Sequence, residues 1–240
     1  MNKFEYIMNR IAHRHGVYSV FSDFLDLLIY AFSHGNKEKE YLGIITKYEK
    51  PDAYSLSEAL AALVIEMTGD DGNGMIDVLG EYFQSHLSHG ANGQFFTPVH
   101  VCDLMAQMTN PNGISERIFD PACGSGRMLM SAAKVNRFAK FYGADIDTNC
   151  AKMTTINLFL NNLTGEVACM NTLSNEFFQA WTIEPTINGV PRIREITKHE
   201  SYIYANSKLK IKNSAPVIPQ IEMPVQNFKT EPTQQLLFTF

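Results

Sequence analysis

No stretch of these 240 residues is apolar for the length needed to cross a bilayer, which argues against a spanning helix. Met1 to Asn9 shows no signal-peptide character, so a cytoplasmic protein is the expectation. Cysteine is scarce: only Cys102, Cys123, Cys150 and Cys169 occur, far apart and without a CxxC pair. They read as buried thiols in a reducing compartment. Cys123 has no nearby His to activate it, so it reads as a small residue filling space. His86 and His89 have helical spacing but no third ligand, so they read as a surface pair and no metal is expected. His13, Arg14 and His15 read as a solvated helix face. There is no internal repeat. The net charge of −5 is too small and of the wrong sign to mark a nucleic-acid binder.

The charge is uneven. Residues 1–184 carry 13 basic and 21 acidic side chains, and residues 185–240 carry 7 and 4, so the net runs from −8 to +3. The basic end reads as a solvated segment, diluted by Glu195, Glu200, Glu222 and Glu231. Residues 1–90 carry helical periodicity. "YSVFSDFLDLLIYAFS" repeats apolar residues at i, i+3, i+4, with Ser22 as a possible internal cap. "SLSEALAALVIEMTG" opens at Ser55 or Ser57 and closes at Gly69, and "MIDVLGEYFQSHLS" is a third helix after the turn "DDGNG". From Arg117 the pattern becomes strand, helix, strand, helix, strand: "RIF", "GRMLMSAAKVNRF", "FYGADID", "NCAKMTTINLFLNNL" and "EVACM". That order predicts a parallel α/β sheet. "INGVPRIREI" reads as a further hairpin or edge element, and Trp181 with Phe177 and Phe178 as core packing of a terminal helix. The expected domains are a helical module over 1–90, an α/β domain over 91–204, and an extended or disordered tail over 205–240.

The loop "DPACGSG", Asp120 to Gly126, falls at the carboxyl end of the first strand, where open parallel sheets bind ligands. Gly124 and Gly126 allow a sharp turn and close approach. No Lys-Ser/Thr follows the last glycine, and the G-x-G-x-x-G spacing is absent, so neither a nucleoside triphosphate nor a dinucleotide is expected. Asp120 can take an amine or a hydroxyl, and the following helix start can take a carboxylate. Asp145 ends the second strand, where an acid can hold two ribose hydroxyls. Of Asp145 and Asp147, one is expected to bind and the other to cap a helix. Asn171 follows the third strand, where an amide suits an adenine edge. An amino-acid end, a ribose and an adenine together describe S-adenosylmethionine.

"GQFFTP" (Gly93 to Pro98), "DPACGSGRML" (Asp120 to Leu129) and "GADID" (Gly143 to Asp147), in that order, resemble the adenine-N(6) DNA methyltransferases. Closest in pattern is the modification subunit of type I restriction–modification systems, which "DVLGEYFQSHLSHGANGQFFTP" also resembles. The resemblance covers roughly residues 75–175. It implies a Rossmann-like, S-adenosylmethionine-dependent methyltransferase sheet preceded by the helical module. It implies that Phe95, Phe96, Thr97 and Pro98 close over the methionine part of the cofactor. By the same resemblance Asp120, Ala122, Gly124 and Gly126 line methionine and ribose, Asp145 holds the ribose, and Asn171 stands near the adenine.

One part of the family's pattern is missing. Members acting on adenine carry Asn-Pro-Pro-aromatic after the third strand, which grips the amino group of a flipped base. Here that place reads "NEFFQAWTIEP", where Asn175 with Phe177 and Phe178 is a distant echo, so the catalytic residues are unknown. The expected function is adenine methylation in DNA, with a partner chain supplying target recognition. The alternative is a catalytically inactive cofactor-fold protein acting through DNA or protein contacts on a mobile element. Methylation of a protein or small molecule is a third reading. Near the end, "QQLLF" places Gln234, Leu237 and Phe238 in a pattern that resembles peptides binding the bacterial sliding clamp.

Overall fold

The computed structural model describes residues 1–69, 72, 74–88, 95–186, 189 and 191–213, the last six as backbone only. The clamp-like pattern at Gln234, Leu237 and Phe238, with Gly93, Gln94 and His89, lies outside the described residues.

Helices α1 (Lys3–His15), α2 (Val17–Ala31), α3 (Glu38–Ile45), α4 (Lys50–Thr68) and α5 (Val78–His86) build the amino-terminal part. Asn2 caps α1 by accepting the Glu5 amide at 2.7 Å. Gly16, at φ 84°, ends α1 and lets α2 begin in a new direction. The α2 periodicity holds, and Ser22 lies inside the helix rather than capping it. Helix α4 starts five residues before Ser55, with Pro51 in its first turn. The Ser55 hydroxyl instead donates back to the Pro51 carbonyl at 2.8 Å and accepts from Arg10 at 2.7 Å. Gly69 closes α4 as expected.

Beyond α6 (Val99–Thr109) come β1 (Arg117–Asp120), α7 (Arg127–Val135), β2 (Lys140–Asp145), α8 (Thr148–Leu160) and β3 (Thr164–Asn171). Then follow β4 (Glu176–Glu184), β5 (Arg192–Ile196) and α9 (Tyr202–Asn213). The sheet order is β1-β2-β3-β4-β5. The first three strands are parallel, and the last two add antiparallel. This is the expected Rossmann-like α/β arrangement with a hairpin at one edge, and β1 forms the other edge.

Two expectations change. "FFQAWTIE" is a strand, not a terminal helix: Trp181 is 1% exposed, but in β4, opposite Val167. The neighbours Ala180 and Trp181 are both buried, on opposite faces of the strand and in separate core clusters. The chain after residue 204 is not extended at once, because α9 continues to Asn213.

Helix α8 is buried nearly all round, from Asn149 to Phe159. One face meets β2 and β3, and the other meets α2. Phe32, just past α2, stacks on Phe159 with ring centroids 4.3 Å apart. One core therefore runs from α1 through α8 into β2, β3 and β4.

Candidate functional site

The loop after β1 is built almost entirely by backbone. The Cys123 amide donates to the Ala144 carbonyl at 2.9 Å, which lashes the loop to β2. The Gly126 amide donates to the Cys123 carbonyl at 2.7 Å, closing a tight turn. Gly124 and Gly126 have φ 54° and 89°, conformations costly for any residue with a Cβ. Space is short as well. A Cβ on Gly124 would stand 2.9 Å from the Phe96 ring, and one on Gly126 would stand 3.1 Å from the Thr154 methyl. Thr154, from α8, donates its hydroxyl to the Gly124 carbonyl at 2.8 Å.

Two carboxylates meet at this loop. Asp120 accepts the Ala122 amide at 3.0 Å. Asp145 accepts the Gly124 amide on Oδ2 at 2.8 Å and the Asp147 amide on Oδ1 at 2.9 Å. Asp147 is the capping acid, accepting the Asn149 and Cys150 amides at the start of α8 at 2.8 and 3.1 Å. Loss of water raises the Asp120 carboxyl above its ordinary value, against one backbone hydrogen bond. Desolvation likewise raises Asp145, with the charges of Asp147 and Asp120 adding to it and two backbone hydrogen bonds opposing. The carboxylates make the loop anionic, and the one arginine lining the cleft among the described residues, Arg127, is paired with Asp77. The loop suits a cation bearing hydroxyls.

The residues singled out from sequence are only partly gathered. Phe95, Phe96, Thr97, Asp120, Ala122 and Gly124 line one narrow cleft of about 60 Å³. Beside it runs a groove of about 570 Å³ that shares Thr97, Asp120 and Ala122. Phe96 narrows the cleft: its ring covers Gly124 and stacks on Phe83 with centroids 5.8 Å apart. Phe95 is 76% exposed, and Pro98 stands at the start of α6. Gly126 is behind the loop, facing α8. Asn171 ends β3, but its side-chain oxygen accepts the Leu173 and Ser174 amides at 3.0 and 3.1 Å. Only its Nδ2 is left to meet a ligand. Cys123 is buried and desolvation pushes its thiol well up, in keeping with a packing residue. His86 pairs with Glu5 at 2.9 Å, and no group of metal-binding side chains occurs among the described residues.

Sequence reasoning missed a buried polar cluster under the loop. Asp77, 2% exposed, accepts from Ser125 Oγ and Arg127 Nε, each at 2.5 Å. It also accepts from the Gly80 amide and Asn157 Nδ2, each at 2.9 Å. The sequence reading begins this helix at Met75 and so places Asp77 inside it, whereas α5 begins at Val78 with Asp77 as its cap.

The N-6 DNA Methylase family matches residues 75–215. The type I restriction enzyme MjaIX methylase subunit of Methanocaldococcus jannaschii is 28% identical over 129 residues, covering 48% of this chain and 23% of that protein. The type II restriction enzyme and methyltransferase RM.BcgI of Heyndrickxia coagulans is 30% identical over 104 residues, covering 35% and 16%. The crystal structure of a type I restriction–modification methyltransferase subunit from Streptococcus thermophilus is similar at 17% identity and TM-score 0.34, over 67% of this chain and 36% of that one. The chain thus spans about a quarter or less of the length of these curated relatives. With more than half of its residues inside the match, the chain belongs to the N-6 DNA methylase family.

Proposed function

We propose that this chain binds S-adenosylmethionine at the β1–α7 loop and serves the methylation of adenine amino groups in DNA. The observation that carries the reading is that Asp120 and Asp145 each accept an amide of the glycine loop, within a family match that includes both. The polar groups match the chemistry of the cofactor, and the adjoining groove of about 570 Å³, rather than the 60 Å³ cleft, has the room for it. The carboxylates answer an ammonium, a sulfonium and ribose hydroxyls, and the turn into α7 offers N–H groups to a carboxylate. Bound there, the cofactor would supply an electrophilic methyl group. Asp145 would orient the ribose, Asn171 Nδ2 would meet the adenine, and the Phe96 ring would wall the methionine end.

The residues that would bind the target base are not visible in these 240. The turn between β3 and β4 leads into a strand beginning with Glu176, where an adenine-specific site would need Asn-Pro-Pro. An amide and an aromatic from a partner chain would complete the reaction on DNA. The chain's own contribution is then proximity: holding the cofactor in place for a base delivered by others.

Calorimetric titration of S-adenosylmethionine into the purified protein tests this. Saturable binding, abolished in Asp120→Ala/Asp145→Ala, is the expected result. No binding at millimolar cofactor would leave the alternative, a fold retained for its contacts with DNA or protein.

A further inference from the structure

We infer that Asp77 is the positioning residue of the cofactor loop; this rests on reading the β1–α7 loop as the S-adenosylmethionine site. Asp77 is 43 residues before Asp120 in sequence and lies outside the α/β pattern that marks the site. None of its atoms lines the narrow cleft. It acts from underneath.

A carboxylate offers about four lone-pair sites. Here all four are taken, by donors from three helices and the loop. Oδ1 takes the Gly80 amide of α5 and Asn157 Nδ2 of α8. Oδ2 takes the Ser125 hydroxyl of the loop and Arg127 Nε of α7. Ser125 and Arg127 flank Gly126, whose left-handed backbone begins α7. One carboxylate therefore ties down both neighbours of the glycine turn. Asn157 adds a second tie, donating to the Ser125 carbonyl at 2.8 Å.

The same carboxylate reaches the other wall of the cleft. Arg127 is 9% exposed, and its guanidinium lies 5.5 Å from the Phe96 ring centroid. Phe96 in turn covers Gly124. Asp77 therefore sets the loop through Ser125 and the aromatic wall through Arg127. A helix cap would need only the Gly80 bond. The bonds to Ser125 and Arg127 are what a cap does not explain.

Asp77→Asn tests the assignment. It keeps the volume but has one acceptor oxygen, and its NH₂ opposes the remaining donors. Two readouts are taken on the full chain: amide hydrogen exchange, and S-adenosylmethionine affinity by calorimetry. The expected result is exchange at Gly124 and Gly126 faster by about tenfold or more, beyond any change at Val167 to Cys169 in β3, with cofactor affinity weakened about tenfold. An equal rise in the loop and in β3 would mark Asp77 as a general stability residue and overturn the inference. So would unchanged loop exchange. Should Asp77→Asn fail to fold, Ser125→Ala removes one of the four bonds and leaves the ion pair. It is held to the same local comparison, with a rise of about threefold or more expected. If the wild-type chain binds no cofactor, the functional reading fails, while the exchange comparison still decides whether Asp77 holds the loop.

Discussion

Asp26 on α2 and Lys152 on α8 meet at 2.6 Å, one charge from the helical module and one from beneath the sheet. Lys152 is 8% exposed. Removing only the acid leaves an ammonium partly buried without its partner. Asp26→Ala should cost about 2 kcal/mol, less than a fully buried pair because Asp26 retains some water. Asp26→Ala/Lys152→Met should recover most of that loss. Urea unfolding of the two variants decides it, and equal losses would mean that the pair matters for its packing alone.

The continuity of the core carries a second prediction. Helix α8 has one side on the sheet and the other on α2, so a chain beginning at residue 91 would expose Phe159 and its neighbours. That fragment should lack a cooperative thermal transition and bind a hydrophobic dye. A sharp transition in the fragment would show instead that residues 91–204 fold as a domain alone.

Asp120 separates stability from binding. Its carboxyl is raised by desolvation, so its ionised form is disfavoured in the fold relative to the unfolded chain. The sign follows. Its favourable contribution is present below the ordinary value of 3.8 and is lost as pH rises through the raised value. Asp120→Asn keeps an oxygen for the Ala122 amide and removes that cost. At pH 7 its Tm should equal wild type or exceed it by about 2 °C, and the difference should shrink toward zero in acid. Its affinity for S-adenosylmethionine should fall. A Tm drop at pH 7 would contradict the electrostatic account.

Gly124 is constrained from two directions, by its φ of 54° and by the Phe96 ring where a Cβ would go. Gly124→Ala should destabilise by about 1–2 kcal/mol. Adding Phe96→Ala should relieve the crowding but not the backbone strain, so the double variant should lose less than the sum of the two. Chemical denaturation of the three proteins tests the cycle, and simple additivity would place Phe96 away from Gly124.

All four cysteines are buried, and desolvation raises the thiols of Cys102, Cys123, Cys150 and Cys169. An aromatic disulfide reagent should react with none of them at pH 8 until denaturant is added. Fast native reaction of Cys123 would reopen a nucleophile role.

Local signals carried much of this protein. Apolar spacing marked α2 and all but the first turn of α4, and the acids and glycines of "DPACGSG" and "GADID" marked the strand ends that carry the candidate site. Those features are legible because they depend on neighbours within a few positions: periodicity, caps, and turns that only glycine permits. The resemblance to adenine-N(6) methyltransferases rested on "GQFFTP", "DPACGSGRML" and "GADID", and the family match includes all of them.

Tertiary structure decided the rest. "FFQAWTIE" is a strand because β3 offers it an edge, which no window around Trp181 reveals. Asn171 spends its oxygen on the turn that follows, so its sequence position overstated its freedom. Helix α8 shows no amphipathic stripe because it is buried on both sides, a fact about its neighbours and not its residues. Asp77 gained its role only when folding brought Ser125, Arg127 and Asn157 to its carboxylate. Short-range chemistry is written in the order of the residues. Burial and long-range hydrogen bonding are settled by which elements the folded core brings together.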